Sequence, residues 1–341
     1  MKLLESKKYI KDIEKALHNC DLSQLDGKTI FITGGLGLIC SAIVDVIIIY
    51  GKTGIVYVGA RNIEQFKERY DGYKNVEYIE YDAMAPLCVN FNIDYIIHGA
   101  GVASPELYTA MPVETILSNF DGVHNLLEFA KINNVKRLLY ISSSEVYGAK
   151  TSVNAFKEGT YGEIDIDKIR SSYSVAKRAS EMLCKAYCTE FDVDTVIVRP
   201  GHIYGPSAKK SDKRISSDFA FKAANGNNLI MKSTGLQKRS YCYSIDCAIQ
   251  ILTVLLKGEN GQAYNIGHDE VTTIKEMAEM LAKSGNVELF AETPSEEERK
   301  AFNPMNNSSL DNSKVKALGY RDTFTVEEGL RHTVEIIKEI T

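Results

Sequence analysis

Short apolar runs alternate with longer helical stretches from Lys28 onward. Buried strands of a parallel sheet read as near-continuous apolar runs, and a helix between two of them carries the chain back to the same edge. Six strands are expected, near residues 29–33, 54–59, 76–81, 95–100, 137–143 and 194–200. The sequence therefore predicts an α/β fold with a doubly wound parallel sheet, whose ligands lie outside the carboxyl ends of the strands.

The pattern divides the chain into three parts. Residues 1–26 read as a charged amphipathic helix and a turn, which predicts an N-terminal helical extension lying as an appendage. Residues 27–200 predict the sheet domain, and residues 201–341 mainly a smaller C-terminal α/β substrate lobe. A segment at about 240–260 is expected to return to the sheet, because Ile245 to Leu256 reads as a helix. Further helices are expected near 216–225, 272–284 and 325–339.

Composition narrows the class of protein. The 341 residues are 44% hydrophobic and carry a formal charge of −5, which disfavours binding to nucleic acid or to an anionic membrane surface. The apolar run at 42–50 is too short to span a bilayer and contains Asp45. Seven cysteines without a CxxC pair predict reduced thiols in a cytoplasmic protein without a metal site. The acidic run at 295–300 predicts a solvated helix face or loop.

A glycine cluster, TIFITGGLGLIC, stands directly after the first strand and before an apolar helix. Gly34 would allow a tight turn, and Gly35 and Gly37 would let backbone amides approach a pyrophosphate at the helix start. This context predicts a Rossmann-type dinucleotide site formed by Gly34, Gly35, Leu36, Gly37, Leu38 and Ile39. The alternative is a glycine turn without a ligand. Cys40 departs from the pattern, where a smaller residue is usual.

The end of the second strand bears on the choice of dinucleotide. GARN, from Gly59 to Asn62, has no acid to bind the adenosine ribose hydroxyls. Arg61 would neutralise a ribose 2′-phosphate, which favours NADP, or stack on adenine, which leaves NAD open. Asp82 and Ala83 close the third strand, where an aspartate can bind the adenine amino group. A turn-capping role for Asp82 is the alternative.

The candidate chemistry lies in SSSEVYG, from Ser142, and YSVAK, from Tyr173 to Lys177. A tyrosine and a lysine four residues apart share one face of a helix. The ammonium can then lower the pKa of the phenol, through the cofactor ribose, and make it a base near neutral pH. A serine at the end of a strand can hydrogen-bond the same substrate oxygen.

These motifs, together with HGAG, RPGHIYGP and RSYCYSIDC, resemble the extended short-chain dehydrogenase/reductase family over roughly residues 28–339. Within it they resemble the NAD-dependent epimerase/dehydratase group, which acts on nucleotide sugars. The resemblance implies NAD as cofactor and a nucleotide-diphosphate sugar as substrate. It also implies a homodimer formed by helices at 113–132 and 172–190.

By this resemblance, Ser143, Tyr173 and Lys177 match the catalytic triad, and Asn119 matches a residue that supports the lysine through water. Arg239 matches an arginine that grips the diphosphate, with Asp246 beside it as an orienting carboxylate. The alternatives are a surface ion pair for Arg239 and a helix N-terminal acid for Asp246. The remaining expected cofactor residues are His98, Gly99, Ala100 and Pro200.

The reaction branch depends on the residues after Ser143. Ser144 and Glu145 stand where the resembled 4,6-dehydratases carry Asp and Glu, and serine is a poor proton donor for loss of water. Ser-Glu is closer to UDP-glucuronate decarboxylases, but NPMNNSSLDNSK, from Asn303, lacks the arginine that those enzymes carry there. His202 is expected to bind sugar or to act as a second acid, with a packed loop histidine as the alternative.

We expect C4 epimerisation through a transient 4-keto sugar, with the cofactor retained. The alternatives are decarboxylation of a nucleotide-linked uronic acid and an NADPH-dependent 4-keto-sugar reductase, which Arg61 would suit. An alternative from another class is a non-catalytic nucleotide sensor. Such sensors commonly lose the tyrosine or lysine, and this chain keeps Tyr173 and Lys177.

Overall fold

The computed structural model describes residues 3–149, 154–293 and 306–341. Its strands are β1 Ile30–Thr33, β2 Val56–Ala60, β3 Val76–Glu80, β4 Tyr95–His98, β5 Arg137–Ile141, β6 Thr195–Pro200, β7 His202–Tyr204, β8 Leu229–Met231, β9 Lys238–Tyr243, β10 Ala263–Ile266, β11 Val271–Thr273, β12 Leu289–Ala291 and β13 Asn307–Ser308. Its helices are α1 Lys7–Leu17, α2 Leu38–Tyr50, α3 Ile63–Tyr70, α4 Pro105–Ala110, α5 Pro112–Asn133, α6 Ser172–Phe191, α7 Ile215–Ala224, α8 Ser244–Lys257, α9 Ile274–Gly285, α10 Ser313–Ala317 and α11 Val326–Ile340. The acidic run at 295–300 lies outside the described residues, as do residues 303–305 of the NPMNN segment.

A parallel sheet of seven strands, in the order β10-β6-β5-β4-β1-β2-β3, forms the centre of the molecule. Every residue of β1 is buried, because β1 lies between β2 and β4 and helices cover both faces. The order reverses beside β1, so a crevice opens at the carboxyl ends of β1 and β4. The prediction of a Rossmann-type doubly wound sheet is confirmed.

The sequence predicted six strands and missed β10, which pairs with β6 at the edge of the sheet. Asn265 interrupts the apolar run of β10, although it is fully buried. Its side chain donates to the Phe156 carbonyl at 2.9 Å and accepts from the Tyr147 hydroxyl at 2.5 Å. A buried polar residue with such partners does not follow the apolar pattern of a central strand.

The second lobe contains two small sheets. In one, β9 pairs with β7, β11 and β13, and in the other β8 pairs with β12. Helices α7, α9 and α11 pack together beside them, and α9 and α11 each begin with a capping box, at Thr273 and Thr325. The helices predicted at 216–225, 272–284 and 325–339 begin and end within two residues of α7, α9 and α11. Helix α8, expected from the sequence to return to the sheet, packs on α2 and on β6.

The N-terminal segment is not an appendage. Tyr9 and Ile13 of α1 have no exposed surface. The Tyr9 hydroxyl donates to Asp45 of α2 at 2.9 Å, and the Tyr243 hydroxyl of the second lobe donates to Asp12 of α1 at 3.1 Å. The sequence prediction was wrong here because buried Asp12 gives this helix a more polar appearance than its packing has. None of the helices in the described ranges combines the length and apolar character needed to cross a membrane.

Candidate active site

The glycine turn between β1 and α2 lies at the carboxyl edge of the sheet. Gly34 has a φ of 67°, which disfavours other residues. A Cβ there would lie 2.9 Å from the backbone nitrogen of Ala100 and the oxygen of Gly99. Gly37 caps α2, whose first amides have no partner within the helix. The turn is therefore a cradle that only glycine leaves open, and it fits a pyrophosphate.

The HGAG loop forms the other wall of this cradle. Added to Gly99, a Cβ would collide with the Cys40 sulfur, so the missing side chain of Gly99 accommodates the unusual cysteine. The loop amides of Gly99 and Ala100 donate to the Thr33 hydroxyl at 3.2 and 3.1 Å. His98 is fully buried, and burial lowers its pKa to about 3. Its Nδ1 shares a hydrogen bond of 2.7 Å with the Thr33 hydroxyl, so the ring supports the loop from within the sheet.

The residues expected at the adenosine end are arranged around the ends of β2 and β3. Arg61 is exposed just before α3. Asp82 is also exposed and accepts a hydrogen bond from the Met84 amide at 3.0 Å, which favours the turn-capping alternative for its carboxylate. Ala83 is buried against Gly122 of α5.

A loop of the second lobe lies over the start of α2. Ser207 is buried, and its hydroxyl donates to the Leu38 carbonyl at 3.0 Å. Lys209 donates to Gln65 of α3 at 3.1 Å. This loop therefore joins the two lobes directly above the glycine cradle.

Asn119 of α5 and Lys177 of α6 are both buried, on two helices that pack against each other. The Lys177 ammonium is buried and donates to the Ile141 carbonyl at 2.8 Å. Burial lowers its pKa to about 7, against the opposing effect of Glu181. The Asn119 amide donates to the Thr115 carbonyl at 2.8 Å, while its Oδ1 is buried without a hydrogen-bond partner. An orphaned amide oxygen beside the cradle fits a site that receives a ligand.

Tyr173 stands in the first turn of α6 with its side chain buried. Burial raises its pKa to about 12, and the nearby charge of Glu145 acts in the same direction. Hydrogen bonds with Ser143 and Tyr108, and the charge of Arg214, act in the opposite direction. The sequence predicted that Lys177 lowers this pKa. In the structure Lys177 Nζ lies 5.7 Å from the centre of the Tyr173 ring, the lowering groups are the three just named, and burial outweighs them.

Ser143, Ser144 and Glu145 follow β5 and begin a short 3-10 helix, Ser144–Tyr147. Ser143 caps it, accepting from the Glu145 amide at 3.2 Å. The Glu145 carboxylate accepts from two nitrogens of Arg170, at 3.3 and 3.4 Å, and from the Ser174 hydroxyl at 3.5 Å. Ser143, Tyr173 and Glu145 are thus neighbours in the structure, and Glu145 is held by a cation.

His202 and Arg239 line the second-lobe side of this cluster. His202, on β7, lies edge-on to Tyr241 with ring centres 5.8 Å apart. Burial and the charges of Arg239 and Arg214 lower its pKa to about 3, so it is neutral near pH 7 and unsuited to act as an acid there. Its Nδ1 is buried without a hydrogen-bond partner. Arg239 is almost fully buried, which is unlike the surface ion pair considered as an alternative.

Asp246 is not placed as an orienting carboxylate. It lies in the first turn of α8 and accepts from the backbone amides of Thr323 and Phe324, at 3.1 and 3.2 Å. The sequence prediction is corrected in favour of the alternative, a buried helix N-terminal acid that holds the loop before α11. Nearness in a motif misled because β9 and α8 meet at a bend, and residues on its two sides face different neighbours. Pro200 closes β6 and is buried.

Comparison with known proteins gives this site a context. A model of the NAD dependent epimerase/dehydratase family matches residues 30–267. The chain belongs to this family. UDP-glucuronic acid decarboxylase 1 of Danio rerio is 31% identical over 324 residues, covering 92% of this chain and 73% of the relative.

Two solved structures of enzymes named for nucleotide-sugar reactions share the fold. UDP-glucose 4-epimerase of Thermotoga maritima, solved with UDP-glucose, has a TM-score of 0.77 and 23% identity, covering 92% of this chain and 99% of that one. A double mutant of dTDP-glucose 4,6-dehydratase from Streptomyces venezuelae, solved with NAD, has a TM-score of 0.77 and 23% identity, covering 91% and 97%. The prediction of an enzyme in the extended short-chain dehydrogenase/reductase family is confirmed.

The family's cofactor is NAD, as the resemblance implied. The NADP alternative drawn from Arg61 stays a prediction. So do the roles of the individual site residues, apart from the corrected role of Asp246.

Three side chains of the site were missed by sequence reasoning. Tyr108 of α4 stacks on Tyr173 with ring centres 4.3 Å apart and planes 7° from parallel. Arg170 pairs with Glu145, and Arg214 acts electrostatically on Tyr173 and His202. Arg170 had a signal, because it stands three residues before Tyr173 at a helix start. Tyr108 and Arg214 lie in or beside irregular segments where periodicity carries no information.

Proposed function

We propose that the chain epimerises a nucleotide-diphosphate sugar at C4 through a transient 4-keto sugar. NAD, when bound, supplies the oxidant for the C4 carbon and the reductant that restores it. The glycine cradle from Gly34 to Gly37, the Gly99 and Ala100 backbone and the orphaned Asn119 oxygen are the groups that would hold it. Closure by the Ser207 loop supports retention of the cofactor between the two half-reactions.

The observation that carries this proposal is the Ser143–Tyr173 pair at the mouth of the cradle. Tyr173 takes the proton of the C4 hydroxyl and later returns it, while Ser143 hydrogen-bonds the same oxygen. Epimerisation needs no other acid, because oxidation and reduction use the same proton. Ser144 stands where loss of water would require a stronger donor, which disfavours dehydration.

Positive charge on the second-lobe side supports a diphosphate substrate. Arg239 is buried in a chain whose net charge is −5, and Arg214 lies close enough to lower the pKa of His202. Guanidinium groups match phosphate oxygens in geometry and charge. Neutral His202, with its unpartnered Nδ1, is suited to hydrogen-bond a sugar or phosphate oxygen.

Decarboxylation of a nucleotide-linked uronic acid is the second candidate. Glu145, fixed by Arg170 and Ser174, lies within the cluster around Tyr173. Its carboxylate could transfer a proton to or from C5. The 31% identity to UDP-glucuronic acid decarboxylase 1 of Danio rerio supports the same branch. After C4 oxidation a uronic acid is a β-keto acid, which loses carbon dioxide readily.

Turnover in heavy water separates the branches. The protein is incubated with NAD and, in turn, UDP-glucose, UDP-N-acetylglucosamine, dTDP-glucose and UDP-glucuronic acid, and separately with NADPH and a nucleotide-linked 4-keto sugar; products are resolved by mass and NMR. Epimerisation leaves the mass unchanged and C5 without deuterium. A product that has lost carbon dioxide and carries deuterium at C5 would contradict epimerisation and identify the chain as a decarboxylase. Oxidation of NADPH together with reduction of the 4-keto sugar would identify the chain as a reductase instead. Binding without any product would favour a sensor.

We also propose a homodimer through α5 and α6. The two helices pack side by side, and both expose apolar side chains to solvent. On α5 Val113 is 62% exposed and Ile132 71%, and on α6 Met182 is 65% exposed. Ile116, Leu117 and Val175 extend the same surface. Such a patch on adjacent helices is typical of a self-association face.

A further inference from the structure

Tyr108, on α4, stacks on the ring of Tyr173. Both side chains are almost fully buried, at 4% and 5% exposure. Their rings lie 4.3 Å apart and within 7° of parallel. Neither orientation can change without displacing the other ring.

The helix that carries Tyr108 is tied to the start of α6. The Ser172 hydroxyl donates to the Tyr108 carbonyl at 3.2 Å, one residue before Tyr173. Helix α4 also packs on the 3-10 turn Ile169–Ser171, which leads into α6. The stack is therefore fixed through the backbone as well as through the rings.

We propose that Tyr108 is a positioning residue for the reaction: its ring fixes the plane of Tyr173, and its hydroxyl donates a hydrogen bond to the Tyr173 oxygen. This inference rests on the proposed role of Tyr173 as the proton acceptor. Tyr108 is the donor when Tyr173 is ionised, because it is the weaker acid of the two phenols. Burial raises the pKa of Tyr108 far above its usual range, and its hydrogen bond with Tyr173 raises it too. Tyr108 therefore keeps its proton, while the same bond lowers the pKa of Tyr173.

Several groups from neighbouring elements also act on Tyr173, and the test must separate Tyr108 from them. Burial and Glu145 favour the neutral phenol, whereas Ser143 and Arg214 favour the phenolate. Lys177, on the same helix, lies over the ring. Exchanging Tyr108 for phenylalanine leaves these groups in place and keeps the stack. It removes one donated hydrogen bond and nothing else.

The Tyr173 phenol is followed in the NAD-loaded protein by NMR, with tyrosine labelled with ¹³C at the ζ carbon. Tyr173→Phe assigns its signal among the 19 tyrosines. In Tyr108→Phe the Tyr173 midpoint is expected to rise by about one pH unit. Tyr57→Phe is the matched control, because Tyr57 stacks on Phe91 at 4.0 Å on β2, away from Tyr173. It should leave the midpoint unchanged.

Turnover gives the second readout. In Tyr108→Phe, kcat is expected to fall about tenfold near neutral pH and to recover as pH rises, with KM little changed. Tyr108→Leu, which also removes the stack, should lower kcat at every pH. An unmoved Tyr173 midpoint in Tyr108→Phe would overturn the inference, as would a change confined to KM, which would make Tyr108 a substrate contact. The midpoint is measured without sugar, so it can move even where no epimerisation is found.

Discussion

Helix α6 buries two sets of ionisable groups one turn apart, and their surroundings differ. Glu181 meets Arg199, whose five N–H groups all have acceptors: both Glu181 oxygens, the hydroxyls of Tyr147 and Tyr161, and the Glu158 carbonyl. Tyr173 and Lys177, nearer the helix start, lack such a complete set of partners: burial lowers the pKa of Lys177 towards neutrality, to about 7, and raises that of Tyr173. Lys177 makes a single hydrogen bond to a carbonyl among the described contacts.

This difference in hydrogen-bond partners distinguishes ionisable groups that stabilise the fold from groups that can take part in a reaction. A buried charge with every partner present is part of the framework, because changing its protonation state would cost too much. A buried group whose pKa has moved towards neutrality can gain or lose a proton during a reaction. Burial alone would have ranked Arg199 above Lys177 as a functional residue.

The largest expected effect comes from Tyr173→Phe. Removing the phenol should lower kcat by about 10²–10⁴-fold, because general base catalysis contributes that much, and leave nucleotide-sugar binding near that of the wild type. Initial rates and calorimetric titration with the same sugar measure the two. Loss of binding together with turnover would indicate a structural role instead.

Arg199→Met should act on stability. It leaves the Glu181 carboxylate buried and unpaired, at a cost of about 3–5 kcal/mol in the free energy of unfolding. Urea denaturation followed by circular dichroism measures this cost. The double variant Arg199→Met with Glu181→Leu is the control and should recover most of the loss. If Arg199→Met were as stable as the wild type, the two sets would not differ as described.

Lys177→Met should change how stability depends on pH. The pKa of this lysine falls from 10.5 to about 7 on folding, so between these values the unfolded chain binds the extra proton. Stability of the wild type, measured against the variant, should therefore rise with pH across this interval and be flat below it. Parallel unfolding curves at each pH give the difference. If the difference in stability between wild type and variant did not change with pH, the pKa of Lys177 would be unshifted and its ammonium exposed to water.

Met182→Glu should leave both buried sets intact. It places a charge on the exposed face of α6, so the dimer should dissociate while the free energy of unfolding per chain changes little. Light scattering after size exclusion measures the mass, and Lys185→Glu on the same helix serves as the comparison. A wild-type protein that is monomeric when concentrated would remove the dimer proposal.

Regular elements were the part that the sequence predicted well. The first six strands and the helices α7 to α9 and α11 follow apolar periodicity, because their burial is repetitive. Strand β10 was missed because Asn265, a buried residue whose side chain is hydrogen-bonded, stands where the pattern requires an apolar residue. In the site, Ser143, Tyr173 and Lys177 were predicted because strand ends and helix turns fix their spacing.

The remaining parts depend on contacts between segments distant in sequence. Tyr108 reaches Tyr173 across 65 positions of chain, and no local pattern indicates that two rings will stack. Asp246 was misplaced because adjacency to Arg239 in a motif does not determine which neighbour its carboxylate meets. Asp12 reads as the polar face of a surface helix, yet it lies buried between Tyr243 and His332.

The first helix limits relative motion of the lobes. Through Tyr9 it is bonded to α2, which begins at the glycine turn, and through Asp12 it is bonded to β9 and α11 of the other lobe. If the lobes swing apart to admit a sugar, α1 must either travel with one of them or give up buried hydrogen bonds to the other. A helix that no reactant touches thereby governs how wide the crevice can open, and how quickly a product can leave.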